Sequence, residues 1–205
     1  MSKEITTMTQ LHLHTTYSML DGVGKAKDYA DRCAELGMEA CAITDHGTMA
    51  GLVEFYTEMN RVGVKPILGC EMYCVEDMHQ RGLTDAEKDG LTPTEVREKN
   101  KMRLRSPHLL LLAETDIGLR NLFRLNYYAN TQGYYGKPRI DLDLLEEHSE
   151  GIIATTTCVI SNMARYLQAK QTDKMTAFFD RMLGIFGEDN LFIELHPHDL
   201  DIQKD

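Results

Sequence analysis

The sequence predicts an α/β chain of the TIM-like (β/α) barrel type, and three observations predict it. Short apolar runs alternate with amphipathic stretches of helical period along most of the 205 residues. The runs are apolar at consecutive positions, which is the pattern of strands covered on both faces. Polar residues capable of chemistry stand at the ends of those runs, where a barrel gathers its site.

Each element follows in order. Residues 10–14 ("QLHLH") read as the first strand, and 25–37 ("KAKDYADRCAELG") as an amphipathic helix that stops at Gly37. The run "ACAIT" (40–44) is the second strand, "TMAGLVEFYTEMNRVG" (48–63) a helix closed by Gly63, and "KPILGCEMYC" (65–74) the third strand. Residues 76–105 break the rhythm, being rich in charge and poor in apolar side chains, and are expected to form a surface insertion with one short exposed helix. The rhythm resumes with the strand "HLLLLAE" (108–114), the helix "DIGLRNLFRLNYYANT" (116–131), a Gly/Tyr/Pro loop "QGYYGKPRI", and a short helix near 141–148. The strand "GIIATTTC" (151–158), helical stretches over about 160–169 and 172–186, and the strand "NLFIELH" complete the series. Six strands joined by helices predict a parallel sheet. The closing "PHDLDIQKD" leaves no room for a last helix and strand, so the 1–205 unit is expected to be one domain, the N-terminal fragment of a longer protein.

Composition narrows the function classes. With 32 acidic against 22 basic residues the net charge is −10, and a surface of that sign repels nucleic acid and anionic lipid unless bound cations or a partner reverse it. The polar N-terminus "MSKEITTMTQ" has no apolar signal core, and no run approaches the roughly 20 apolar residues that span a bilayer, so a cytoplasmic location without membrane contact is expected. Five cysteines with no CxxC spacing argue against a disulfide framework and read mostly as small buried apolar residues.

The residues at the strand ends carry the chemistry. His12 and His14 alternate on the first strand and therefore face one side, and Asp21 follows in the next loop. Asp45 and His46 end the second strand, Glu71 lies near the end of the third, His108 opens the fourth, Cys158 closes the fifth and His198 follows the sixth. Taken singly, each histidine is more ordinarily a satisfied core or edge residue, and a lone Cys a buried apolar one. Jointly they offer nitrogen, oxygen and sulfur donors, which suits borderline divalent metals such as zinc, manganese or iron. There are too many donors for one ion, which predicts two or three metals sharing a bridging carboxylate. His79 and His148 sit in polar surroundings and read as surface residues.

Five segments, "LHLHTTYSMLDG", "AITDHGTMAGLVEFY", "GVKPILGCEMY", "PHLLLLAET" and "GKPRIDLDLLEEHSEGIIATTTC", closely resemble, in order, the polymerase and histidinol phosphatase (PHP) domain at the N-terminus of bacterial DNA polymerase III alpha subunits. The resemblance runs from about residue 8 to the end, and "KPRID" with the following "EGII" resembles the replicative polymerases in particular. It implies a distorted barrel of seven strands whose mouth holds up to three metals on nine side chains. Seven match here as metal ligands: His12, His14, Asp21, His46, Glu71, His108 and Cys158. The last two, an Asp and a His on a final strand, have no counterpart before Asp205. His198 matches a residue near the mouth and is expected to touch substrate, and Asp45 to orient a neighbouring histidine.

The resemblance further implies a metal-dependent phosphoester hydrolase, acting as a proofreading 3′-5′ exonuclease on the primer end of DNA. DNA-directed polymerase activity belongs to the parent chain, whose partners are DNA and other replisome subunits. Two other readings stay open: a catalytically silent scaffold domain of the polymerase, and a stand-alone phosphoesterase of the histidinol phosphatase kind.

Overall fold

A four-residue strand in the middle of an apolar run is where this architecture starts. In the computed structural model, which describes residues 8–104 and 106–196, β1 (Ala40–Ile43) pairs in parallel with the first half of the long strand β2 (Lys65–Cys74). Two helices link and flank them. Helix α1 (Ala26–Leu36) buries Ala26, Ala30 and Cys33, one face at helical spacing, and α2 (Leu52–Arg61) buries Leu52, Phe55 and Met59 in the same way. Gly37 ends α1 in the left-handed conformation (φ 70°), which costs a glycine nothing, and its N–H returns to the Ala34 carbonyl.

The expected run 76–105 contains two helices, α3 (Asp85–Lys88) and α4 (Pro93–Leu104), where one was expected. Each has a legible cause. Thr84 and Glu87, and likewise Thr92 and Glu95, form reciprocal capping boxes in which the threonine hydroxyl accepts from the glutamate N–H and the carboxylate accepts from the threonine N–H.

This excursion leaves and re-enters at the same end of the sheet, so β3 (His108–Ala113) returns antiparallel to β2, with Tyr73 opposite His108 and Gly69 opposite Leu112. The expectation of an all-parallel sheet is corrected here. Helix α5 (Asp116–Thr131) follows, capped by the Thr115 hydroxyl, and Gly118 packs so closely on the Gly151 carbonyl that a Cβ there would lie 1.7 Å from its oxygen. The expected Gly/Tyr/Pro loop contains the two-residue strand β4 (Arg139–Ile140), parallel to the end of β2. After α6 (Leu142–Glu147), β5 (Ile152–Thr155) lies antiparallel to β3. Helices α7 (Asn162–Gln168) and α8 (Thr172–Phe186) lead to β6 (Leu191–Phe192), parallel to β5.

The sheet order is β1-β2-β3-β5-β6, with β4 on β2. Residues 10–14 lie extended beside β1, bonded through Ala42 N–H to the Gln10 carbonyl and Thr44 N–H to the Leu13 carbonyl, without forming a regular strand. Period two sorts the leucines of β3: Leu109 and Leu111 enter the core under the helices, while Leu110 and Leu112 join Ala42 on the inner face. That inner face opens into a cleft of about 1460 Å³. Cys33, Cys41, Cys70 and Cys74 are buried and unbridged, as expected. Among the described residues no helix is long and apolar enough to cross a membrane.

Candidate metal centre

The histidine pair is aimed by the pleat. Leu13 packs on the core between them, and its N–H donates to the Thr44 hydroxyl at 2.9 Å, so His12 and His14 both turn to the cleft with their Nε2 atoms 3.1 Å apart. The loop after them is tied down by Asp45. Its buried carboxylate accepts from the Thr15 N–H and hydroxyl and from the Ser18 hydroxyl, each at 2.7 Å. That loop brings Asp21 Oδ2 to 2.9 Å from His46 Nε2 and 3.7 Å from His14 Nε2. The His14 and His46 rings stack at 4.2 Å.

Glu71 is the hub. Only 1% exposed on β2, it presents Oε1 to His108 Nδ1 (3.1 Å) and His12 Nε2 (3.4 Å), and Oε2 to His46 Nδ1 (2.8 Å) and His14 Nε2 (3.2 Å). Because β3 runs antiparallel, its opening residue His108 lies beside the end of β2 and so reaches the mouth. Burial pushes the Glu71 carboxyl up, and the surrounding histidines overcome this and hold it well below the usual carboxylate range. Cys158 lies 3.9 Å from His108 Nδ1, its thiol pushed up by burial, so a thiolate there requires a cation to replace the proton.

The last turn of β5 is the part the sequence reading missed. The Thr157 hydroxyl donates to Glu71 Oε1 at 2.6 Å, and the Thr155 hydroxyl donates to Glu194 Oε2 at 2.5 Å. Thr157 does so with φ at 53°, which costs a β-branched residue about 1–3 kcal/mol and persists only where the surroundings fix it. Glu194 and His196, one strand alternation apart, complete the wall: Glu194 Oε1 lies 2.7 Å from His12 Nδ1 and 2.5 Å from His196 Nε2. The signal was the "E-x-H" in the expected last strand, the same period of two that drew attention to "H-x-H". Burial lowers the His12 pKa, but Glu194 and Glu71 outweigh it and raise it to about 9.

The structure therefore brings together His12, His14, Asp21, His46, Glu71, His108 and Cys158. Asp45 touches no histidine side chain among the described residues and is one step removed from the orienting role expected of it, reaching His14 Nδ1 through Ser18 Oγ (3.3 Å). His198 lies outside the described residues. His79 is exposed and His148 stacks on Tyr128, both apart from the cluster. At the rim, Tyr73 stacks on His46 and meets His108 edge-on, and Lys137 Nζ bonds its hydroxyl at 3.0 Å.

The donor set fits divalent metals. Three groups, His12 with His14 and Glu71, His14 with Asp21 and His46, and His46 with Glu71 and His108, each converge within 4.8 Å and share members, the arrangement that adjacent ions on a bridging carboxylate require. His46 Nδ1 and Glu71 Oε2 are buried and neither finds a well-aligned hydrogen bond. Buried polar atoms rarely stay unpaired, and a cation between them removes the cost.

Comparisons with known proteins identify the family. The chain is 37% identical over 198 residues to a DNA polymerase III subunit alpha of Saccharopolyspora erythraea, covering 95% of the chain and 17% of that protein. It is 41% identical over 198 residues to that of Deinococcus radiodurans, covering 95% and 14%. The chain thus spans 14–17% of the length of these curated relatives. A solved amidohydrolase from Chromobacterium violaceum aligns at a TM-score of 0.47 and 15% identity, over 82% of this chain and 73% of its own. The family model described as the PHP domain matches residues 10–198, nearly everything described above, and the chain belongs to that family.

Proposed function

We propose that the chain is the PHP module of a replicative DNA polymerase III alpha subunit and a metal-dependent phosphodiester hydrolase, acting as a 3′-5′ exonuclease that proofreads primer ends in the cytoplasm. The observation that carries this reading is Glu71: a fully buried carboxylate with both oxygens among four histidines, one of them without an aligned donor. His12, His14, Asp21, His46, Glu71, His108 and Cys158 would hold two or three divalent ions. Such ions supply a water of lowered pKa and neutralise the oxygens of a scissile phosphate. They also reverse the local sign of a chain whose net charge is −10. Lys137 adds a cation at the rim, above the Tyr73 ring. DNA polymerisation and the other replisome subunits belong to the parent protein.

The test is digestion of a 5′-labelled single-stranded oligonucleotide by the manganese- or zinc-loaded chain, beside Glu71→Gln. A ladder shortening from the 3′ end, reduced by at least about 100-fold in the variant, is the expected result. An intact oligonucleotide with metal bound supports the scaffold reading instead. Equal ladders from both proteins mean a contaminating nuclease.

A further inference from the structure

We infer that Glu194 is the positioning residue of His12, locking the tautomer in which that imidazole can bind metal. The inference rests on His12 being a metal ligand, as proposed above. His12 Nε2 faces the cluster, 3.1 Å from His14 Nε2 and 3.4 Å from Glu71 Oε1. To bind metal there Nε2 must be bare, so the single proton of the neutral ring belongs on Nδ1. Glu194 Oε1 waits 2.7 Å from that atom. A carboxylate accepting the far N–H of a ligating histidine fixes the ring's orientation and strengthens its metal bond.

Glu194 is itself held at both ends. The Thr155 hydroxyl donates to Oε2 at 2.5 Å, and the Glu194 N–H donates to the Thr156 hydroxyl at 3.1 Å. The anchor comes from the end of β5, and His12 from the extended segment beside β1, so one side chain joins the two ends of the sheet at the mouth. Glu194 lies close enough to His12 and His196 for a three-donor metal group, yet both its oxygens already have hydrogen-bond partners. Oε1 lies within hydrogen-bond distance of both histidines and Oε2 takes the Thr155 hydroxyl. The contrast is with Glu71 Oε2 and His46 Nδ1, which have no aligned donor and face each other at 2.8 Å. Satisfied oxygens mark the positioning group, and unsatisfied ones the ligand.

The experiment measures zinc stoichiometry and affinity by competition with a chelator, together with the histidine ¹⁵N spectrum, on the full chain and its Glu194→Ala and Glu194→Gln variants. Glu194→Ala is expected to keep the metal stoichiometry, lose about 10–100-fold in affinity and, in the metal-free protein at a pH above about 9 where the ring is neutral, show His12 as a mixture of tautomers. Glu194→Gln keeps an acceptor without the charge, and should recover part of the affinity and the Nδ1–H signal. Should Glu194→Ala fail to fold, Thr155→Val leaves the carboxylate but frees it, with a smaller loss in the same direction expected. The inference is overturned if Glu194→Ala binds zinc as the parent does, or if it binds one equivalent fewer, which makes Glu194 a ligand. A parent chain that takes up neither zinc nor manganese sinks the proposed function and this inference together, whereas normal uptake with an unaffected variant sinks this inference alone.

Discussion

Two charges are buried to the same degree in this molecule and treated in opposite ways. Glu71 at the mouth and Arg139 on β4 are each 1% exposed. Arg139 is surrounded by backbone: its Nε donates to the Gly133 carbonyl at 3.0 Å and its Nη2 to the carbonyls of Met78 and Gln80 at 2.9 Å, with its guanidinium over the Tyr135 ring. Nearby, the Asp141 carboxylate caps α6 and accepts the Met78 N–H. Glu71 instead faces side chains that titrate, and one of its oxygens has no aligned donor. The lesson is that satisfaction distinguishes a buried charge that builds the fold from one kept available for a ligand. The "KPRID" segment, which resembles the replicative polymerases in sequence, contributes a knot that pins the start of the 76–105 excursion to the sheet.

Breaking the knot should have the largest effect on stability and none on metal. Arg139→Leu strands the Gly133 and Gln80 carbonyls, and each unpaired buried polar group costs about 1–3 kcal/mol, so a loss of about 3 kcal/mol or more is expected. Denaturant unfolding checks the loss, and zinc titration well below the transition should match the parent chain. Metal affinity falling in step with stability would remove the distinction between the two regions.

A pH series on the metal-free chain sharpens the comparison at the mouth. Glu71 and Glu194 are held below their ordinary value of 4.5, Glu194 to about 2, so their stabilisation is complete above pH 4.5 and is lost as pH falls through the depressed values. His12 moves the other way, from 6.5 to about 9, and its contribution is complete below pH 6.5 and lost as pH rises through 9. The metal-free melting temperature should therefore peak between pH 4.5 and 6.5 and decline on both sides, the alkaline arm amounting to about 3 kcal/mol. Zinc should flatten that alkaline arm, because metal replaces the proton that His12 gives up. An alkaline arm unchanged by zinc would mean that His12 is not a ligand.

What the sequence disclosed and what it hid follow from how each feature is encoded. His12 and His14 were legible because period two puts them on one face, and Glu71 because it stands in an otherwise apolar run. The direction of β3 was hidden, since an apolar run reads alike in parallel and antiparallel surroundings, and only the return of the excursion beside Cys74 decides it. The second helix of that excursion was in fact written, as two T-x-x-E boxes, but its lack of an apolar face masks it. Glu194 was hidden because adjacency in sequence draws attention to Asp45, the carboxylate next to His46. The fold instead turns Asp45 toward Thr15 and Ser18, and carries Glu194 across 182 positions to His12.

The smallest effect tests whether strain belongs to the mouth. Thr157 holds a left-handed backbone at 53° while donating its hydroxyl to Glu71 Oε1 at 2.6 Å. Replacing it with valine keeps the strain and loses the bond, costing about 1.5–3 kcal/mol for a hydrogen bond to a charged group. Replacing it with glycine loses the same bond but relieves about 1–3 kcal/mol of strain, offset in part by glycine's greater freedom in the unfolded chain. The metal-free stability of Thr157→Gly should then fall within about 1 kcal/mol of the parent while Thr157→Val falls clearly below it, with both variants weaker for zinc. The difference between the two variants measures the strain less the entropic cost of glycine. Were they equal, the left-handed turn would cost no more than glycine's added freedom in the unfolded chain, and strain would not distinguish the mouth from the rest of the fold.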